Sequence, residues 1–177
     1  QDYHQAGRLL ASIKDGSTVL IDPARVTCGL VGRLGAQVKL LEQINPTSLS
    51  KSRKSDAELA HVRQVMEQDG AALCEFFAWF EANLGKQQIT ELTIDERLTA
   101  ARAQRPGYVS LSFSTIAAFN ANGAMPHYRA TEQSHAVIKG DGLLLIDSGG
   151  QYLGGTTDIT RMVPVGQPTR AQREDCT

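Results

Sequence analysis

Cysteine is scarce in this chain of 177 residues, and its spacing excludes two classes of small protein. Cys28, Cys74 and Cys176 are odd in number and form no CxxC or Cys/His pattern. A disulfide framework or a structural zinc site needs paired or closely spaced ligands. We therefore predict three reduced thiols, as in a cytoplasmic protein.

The chain also lacks an excess of charge and any long apolar run. Its 18 basic and 19 acidic residues leave a formal charge of −1. The chain therefore has no excess of positive charge that would attract nucleic acid or an anionic membrane. The longest apolar stretches, 142–146 and 19–21, are far shorter than the roughly 20 residues that span a bilayer. We expect no nucleic-acid partner, no membrane-spanning helix and a small or neutral substrate.

What is present is an ordinary globular composition, 41% hydrophobic and 21% charged. In the first fifty residues, apolar spacing and turn residues predict alternating helices and strands, which is typical of a parallel α/β layer. The predicted elements are a helix over 3–13, a strand over 18–21, a helix over 26–34 and a strand over 36–44. A polar, basic stretch over 46–55 is typical of a linker, which places a domain boundary near residue 50.

The rest of the chain is predicted to be an α+β domain, because two helices precede a run of hairpins. The helices are expected from Ser55 to Gly85 and over 93–103. The predicted strands cover 108–119, 136–138, 143–147 and 158–165, and a further helix begins at Thr169 and continues to Thr177.

Two aspartates stand out in this second part. A hairpin centred between Tyr152 and Leu153 would place Asp147 directly opposite Asp158, where like charges are destabilising. The apolar run before Asp147 predicts burial of the pair, which makes unpaired charges costly. Three explanations stay open on these residues alone: the pair binds divalent cations, shares one proton as an acid/base dyad, or consists of structural acids beside a turn.

His127 is the second candidate, since it follows a loop that contains Gly123 and Pro126. A histidine in such a position can act as a general acid/base or hydrogen-bond donor, or it can be structural. The residues around it do not decide between these roles.

Four segments together resemble a known family. They are 147–152 (DSGGQY), 157–161 (TDITR), 123–128 (GAMPHY) and 112–116 (SFSTI). The Asp-x10-Asp pattern and the upstream His-Tyr pair are similar to those of Xaa-Pro aminopeptidases of the pita-bread metallopeptidase superfamily, in the three-domain cytosolic branch. The resemblance implies that 51–177 is the first half of a pita-bread catalytic domain. Residues 1–50 would be the tail of the family's preceding α/β, creatinase-type N-terminal domain.

The resemblance also implies roles for individual residues. Asp147 would chelate one of two divalent cations, Asp158 would bridge both, and His127 would be the active-site histidine. Manganese is the first expectation for the metal, with cobalt or zinc as alternatives. The substrate would be a peptide with proline in second position.

The family's remaining metal ligands, a His and two Glu, have no counterpart in the chain. We therefore expect the chain alone to bind metal weakly, to be inactive and to self-associate as a homo-oligomer through uncovered strand edges. The alternatives are an Xaa-Pro dipeptidase (prolidase), a metal-free creatinase-like hydrolase, against which both retained aspartates argue, and a non-catalytic peptide-binding module.

Overall fold

The computed structural model describes residues 2–175 and divides into two compact units between Ser55 and Asp56. The polar stretch expected to be a linker lies at the end of the first unit, and it includes the helix α3, Pro46–Ser52. Proline at the first helical position and Asn45, whose side chain accepts a hydrogen bond from the backbone N–H of Thr47 at 2.9 Å, begin this helix.

The first unit contains a two-stranded parallel sheet, as predicted for an α/β layer. Its strands are β1, Thr18–Ile21, and β2, Lys39–Glu42. The helices α1, Ala6–Ala11, and α2, Cys28–Val31, are shorter than expected. The first predicted helix begins as a 3-10 turn over Tyr3–Gln5.

The second unit begins with two long helices, α4, Asp56–Asn83, and α5, Glu91–Ala103. Two residues after α4, Gly85 takes a φ of +77°, a conformation that glycine adopts without steric cost. The α5 helix starts before the predicted Thr93 because Thr90 and Thr93 cap it reciprocally. A short last helix, α6, covers Arg170–Asp175, and the expected continuation over Cys176 and Thr177 lies outside the described residues.

Two antiparallel sheets follow the long helices, in the orders β3-β6-β7 and β4-β5-β8. Their strands are β3, Tyr108–Leu111, β4, Ile116–Phe119, β5, Gly142–Ser148, β6, Gly150–Tyr152, β7, Gly155–Thr156, and β8, Ile159–Val165. The single strand predicted over 108–119 is thus two strands in different sheets. The strand predicted over 136–138 is reduced to an isolated bridge between Val137 and Thr90.

The core of the second unit lies on one face of the β4-β5-β8 sheet. Along β5, Leu144 and Ile146 are buried, whereas Leu143, Leu145 and Asp147 alternate with them and stay partly exposed. The buried cluster combines residues of α4, α5 and the sheet, among them Phe76, Phe80, Ile94, Leu98, Leu144 and Ile146. The opposite, open face of the sheet therefore carries Asp147. Within residues 2–175, no helix has the length and apolar character needed to cross a membrane.

Candidate metal centre

The strand register corrects the predicted pairing of the two aspartates. Asp147 lies opposite Thr160, and Asp158 precedes β8, which begins at Ile159. Tyr152 pairs with Gly155, so the turn residues are Leu153 and Gly154. The turn is therefore one residue later than predicted, and the same register continued places Asp158 opposite Gly149 instead of Asp147.

Long-range contacts explain this register. The hydroxyl of Tyr152 donates to Asp69 at 2.7 Å, and the backbone N–H of Leu153 donates to the carbonyl of Gly107 at 2.9 Å. Both partners are remote in sequence, so the local turn pattern contained no sign of them.

The observed register keeps the two carboxylates on one side of the hairpin. The residue opposite Asp147 is Thr160, two positions after Asp158, and residues two positions apart in a strand point to the same side. Asp147 and Asp158 become diagonal neighbours, whose Cα atoms in such ladders lie about 7 to 8 Å apart, instead of a directly opposed pair. Because diagonal neighbours lie farther apart than directly opposed residues, the like-charge repulsion expected from direct opposition is reduced.

The predicted burial of this pair is wrong. Asp147 is half-buried and Asp158 is exposed. The apolar residues before Asp147 do not enclose it, because only Leu144 and Ile146 point into the core while Asp147 shares the open face. One oxygen of Asp147, Oδ1, accepts a hydrogen bond from Thr160 Oγ1 at 2.9 Å.

His127 lies in a separate, exposed turn. The backbone N–H of Tyr128 donates to the carbonyl of Met125 at 3.0 Å, which closes a turn with Pro126 at its second position. Within residues 2–175, no group of three or more His, Cys, Asp or Glu side chains is placed to hold one metal ion. The two aspartates thus share a hairpin, and His127 is not part of a shared ligand cluster with them.

Asp69 is the centre of a buried network that sequence reasoning missed. Its carboxylate accepts from Arg102 Nε at 2.7 Å, from Arg102 Nη2 at 3.1 Å and from the Tyr152 hydroxyl at 2.7 Å. All three residues are buried, and burial followed by the Asp69 contact raises the pKa of Tyr152. Since Tyr152 lies between Asp147 and Asp158, the network fixes their hairpin to α4 and α5. In the sequence, the available sign of this network was Asp69 itself, a charged residue among the apolar residues that α4 buries.

Glu91 is the second missed residue, and its side chain is only 1% exposed. Its carboxylate accepts from the backbone N–H groups of Phe119 and Ala136 at 2.6 and 2.7 Å. It also accepts from the Tyr128 hydroxyl at 2.7 Å and from Asn122 Nδ2 at 2.9 Å. Burial, and then the Glu91 contact, raises the pKa of Tyr128 to about 12. The predicted helix begins at Thr93, so Glu91 falls before it, and even the observed cap at Thr90 marks Glu91 only as a first-turn acid that the helix dipole favours.

If Asp147 is a metal ligand, as the resemblance implies, Thr160→Val is expected to weaken metal binding by about 10- to 100-fold, the usual effect of removing a hydrogen bond to a ligating carboxylate. Valine keeps the shape of threonine but removes the hydroxyl that donates to Asp147 Oδ1. Titration calorimetry with Mn²⁺ on the complete protein would measure the loss. Thr156→Val, which removes a hydroxyl that donates to Gln151, is the matched control. Equal affinities in both variants would contradict the prediction.

Comparison with known proteins defines the class. Residues 60–177 match metallopeptidase family M24, and the chain belongs to that family. It is 40% identical over 163 residues to Xaa-Pro aminopeptidase 1 of Dictyostelium discoideum, an alignment that covers 90% of this chain and 26% of that protein. The predicted family membership is thereby confirmed.

Solved structures agree with this assignment. The X-prolyl aminopeptidase of Caenorhabditis elegans, described as a cytosolic enzyme with a di-nuclear active site, superimposes with a TM-score of 0.83 at 26% identity and covers 97% of this chain. A prolidase from Thermococcus sibiricus gives a TM-score of 0.62 at 26% identity over 96% of this chain. The alignments span 29% and 44% of those chains. The α+β fold of this chain is that of part of a pita-bread catalytic domain.

Proposed function

We propose that this chain supplies part of the two-metal active site of an Xaa-Pro aminopeptidase, which releases the N-terminal residue from peptides with proline in second position. The observation that carries the proposal is the placement of Asp147 and Asp158 on one side of a single hairpin in a family M24 domain. The names of the Dictyostelium and Caenorhabditis proteins support the specificity. The chain spans only about a quarter of the Dictyostelium relative, so the activity is proposed for the complete protein.

Asp147 and Asp158 would hold two divalent cations, with Asp147 on one ion and Asp158 bridging both. Carboxylate oxygens are suitable donors for such ions, and we propose manganese first, with cobalt or zinc as alternatives. When bound, the cations would polarise the scissile carbonyl and lower the pKa of the attacking water. The di-nuclear site of the Caenorhabditis enzyme supports the number of ions.

The chain alone is proposed to bind metal weakly and to be inactive. Two carboxylates are a small ligand set for two cations, and the described part of the chain, 2–175, gathers no third His, Cys, Asp or Glu around them. Further donors would have to come from other residues of the complete protein.

We propose His127 as the catalytic histidine, which would assist proton transfer or donate a hydrogen bond to the reacting carbonyl. Its exposed position in the turn after Pro126 leaves the imidazole accessible to a substrate. Its place outside the aspartate hairpin supports a contact with substrate instead of metal.

The proposed partner is the peptide substrate. The cytoplasm is the proposed compartment, supported by the cytosolic description of the Caenorhabditis enzyme and by Cys28 and Cys74, which are free thiols. Self-association stays a prediction. The open face of the β4-β5-β8 sheet, where Met162 is 47% exposed, supports it.

The second candidate function is an Xaa-Pro dipeptidase, favoured by the structural match to the Thermococcus prolidase. A non-catalytic peptide-binding module is disfavoured because both aspartates are retained.

The experiment that tests the proposal is cleavage of Xaa-Pro dipeptides and of longer Xaa-Pro-Yaa peptides by the complete protein with Mn²⁺. We expect the longer peptides to be cleaved, cleavage to stop with chelator, and the chain of 177 residues to be inactive under the same conditions. Cleavage of dipeptides alone would favour the dipeptidase. No metal-dependent cleavage of either substrate would overturn both enzyme assignments.

A further inference from the structure

The turn that carries His127 lies in a segment with little regular structure. Between the end of β4 at Phe119 and the bridge at Val137, the chain forms a 3-10 turn over Asn120–Ala124 and then mainly turns and irregular backbone. Segments of this kind have few backbone ladders to hold them and are often mobile. A catalytic imidazole, however, must be held to within about 0.5 Å of its productive position.

The carboxylate of Glu91 holds this segment at points along its length. It binds the backbone at Phe119, where the segment begins, and at Ala136, where it ends. Between them it binds the side chains of Asn122 and Tyr128. The contacts thus lie before His127, directly after it and at the far end of the segment.

The carboxylate is well matched to this task. Oε1 accepts from Phe119 and Asn122, and Oε2 accepts from Tyr128 and Ala136, so each oxygen has two donors at 2.9 Å or less. An ionised carboxylate offers about four acceptor positions, and donors of this kind offset the cost of burying its charge. The Tyr128 hydroxyl is a donor at neutral pH, since the ordinary pKa of a phenol is already about 10 and burial raises that of Tyr128 further, to about 12.

Glu91 itself lies on a capped helix. Glu91 is the first residue of α5, and the reciprocal Thr90–Thr93 cap fixes the start of that helix. Tyr128 connects this helix to the His127 turn through two hydrogen bonds, one to the helix and one within the turn. Its hydroxyl donates to Glu91, and its backbone N–H donates to the carbonyl of Met125, which closes the turn around His127.

We propose that Glu91 is the positioning residue for His127, acting through Tyr128 to fix the turn that presents the imidazole. The inference rests on the catalytic role proposed for His127, and the position of the imidazole can be tested apart from that role.

The first test follows the His127 imidazole by NMR in the chain of 177 residues, isotopically labelled at histidine. His127→Gln assigns the signal among those of the four histidines. We expect Glu91→Gln and Tyr128→Phe to shift the His127 signals and to sharpen them by increased mobility, while those of His4 and His61 stay unchanged. Tyr128→Phe removes one hydroxyl only, and so provides a folded variant if Glu91→Gln is too disruptive.

The matched control is Asp69→Asn, which changes another buried carboxylate of the same unit that also binds a tyrosine. It should leave the His127 signals in place. Unchanged His127 signals in folded Tyr128→Phe and Glu91→Gln would overturn the proposal. So would an equal displacement in a folded Asp69→Asn variant, since the His127 signals would then respond to the loss of any buried carboxylate in this unit.

The second test is kinetic and uses the complete protein. Misplacement by about 1 Å can cost about 100-fold, so Glu91→Gln should lower kcat by about 10²-fold with a smaller change in KM, and Tyr128→Phe by less. In a His127→Ala background neither substitution should lower kcat further, because residues that act as a unit are not additive. Additive losses would overturn the positioning role. Full activity of His127→Ala would instead contradict the catalytic role of His127, and the NMR result would still decide the positioning.

Discussion

Replacing Asp158 by asparagine in the complete protein is expected to lower kcat/KM for Xaa-Pro peptides by about 10³-fold or more. Asparagine keeps the shape of aspartate but removes the negative charge with which the proposed bridging ligand would hold two cations. Metal ions supply several kcal/mol of transition-state stabilisation, and about 1.4 kcal/mol corresponds to tenfold in rate. Asp147→Asn should cause a loss of the same order.

The measurement pairs peptide hydrolysis with metal content after dialysis. Both should fall together in Asp147→Asn and Asp158→Asn. The control is Asp56→Asn, which makes the same charge change at the exposed start of α4 and should alter neither quantity. Full metal content and undiminished cleavage in the Asp158 variant would refute the assignment of this residue as a ligand.

The second large effect concerns stability. Asp69→Ala should lower the free energy of unfolding by about 3 to 5 kcal/mol, the cost of breaking a buried ion pair by removing one partner. The substitution leaves Arg102 buried with an uncompensated charge and removes the acceptor of the Tyr152 hydroxyl. Urea denaturation followed by circular dichroism would give the difference.

The chain contains a matched ion pair for comparison. Glu75 binds Arg105 at 2.6 Å, but the Glu75 side chain is 56% exposed. Exposed pairs contribute about 1 kcal/mol or less, so Glu75→Ala should have a small effect although its ion pair is equally short. If the two variants were equally stable, burial would not be the reason for the strength of the Asp69 network.

Elements defined by local patterns could be predicted from the sequence. The apolar stripe of α4, the acids Asp56 and Glu58 in its first turn and the glycine after it place that helix within two residues. The parallel pair β1-β2 follows from alternating helices and strands. The family was predicted because this chain resembles it in residue types at fixed spacing, among them Asp147, Asp158 and His127.

Features that depend on distant partners could not be predicted. The hairpin register depends on Tyr152 meeting Asp69, 83 residues earlier in the chain. Glu91 becomes important only because the fold brings four donors from residues 119 to 136 to its carboxylate. The exposure of Asp147 depends on which face of β5 the helices cover. The hydrophobicity of one strand indicates that the strand borders a core. It does not identify the elements that pack on it or the face that they cover.

The antiparallel hairpin between Asp147 and Asp158 also constrains how homologous sequences can vary. Its two arms meet at the Leu153–Gly154 turn, and the β6-β7 and β5-β8 pairs share one register from Tyr152–Gly155 to Gly142–Val165. An insertion of one residue in either arm would turn one carboxylate toward the helices and leave the other on the open face. Insertions or deletions that keep both carboxylates on one side must therefore fall in the turn itself or come in even numbers within an arm, so the parity of each arm's length is fixed while that of the turn is not.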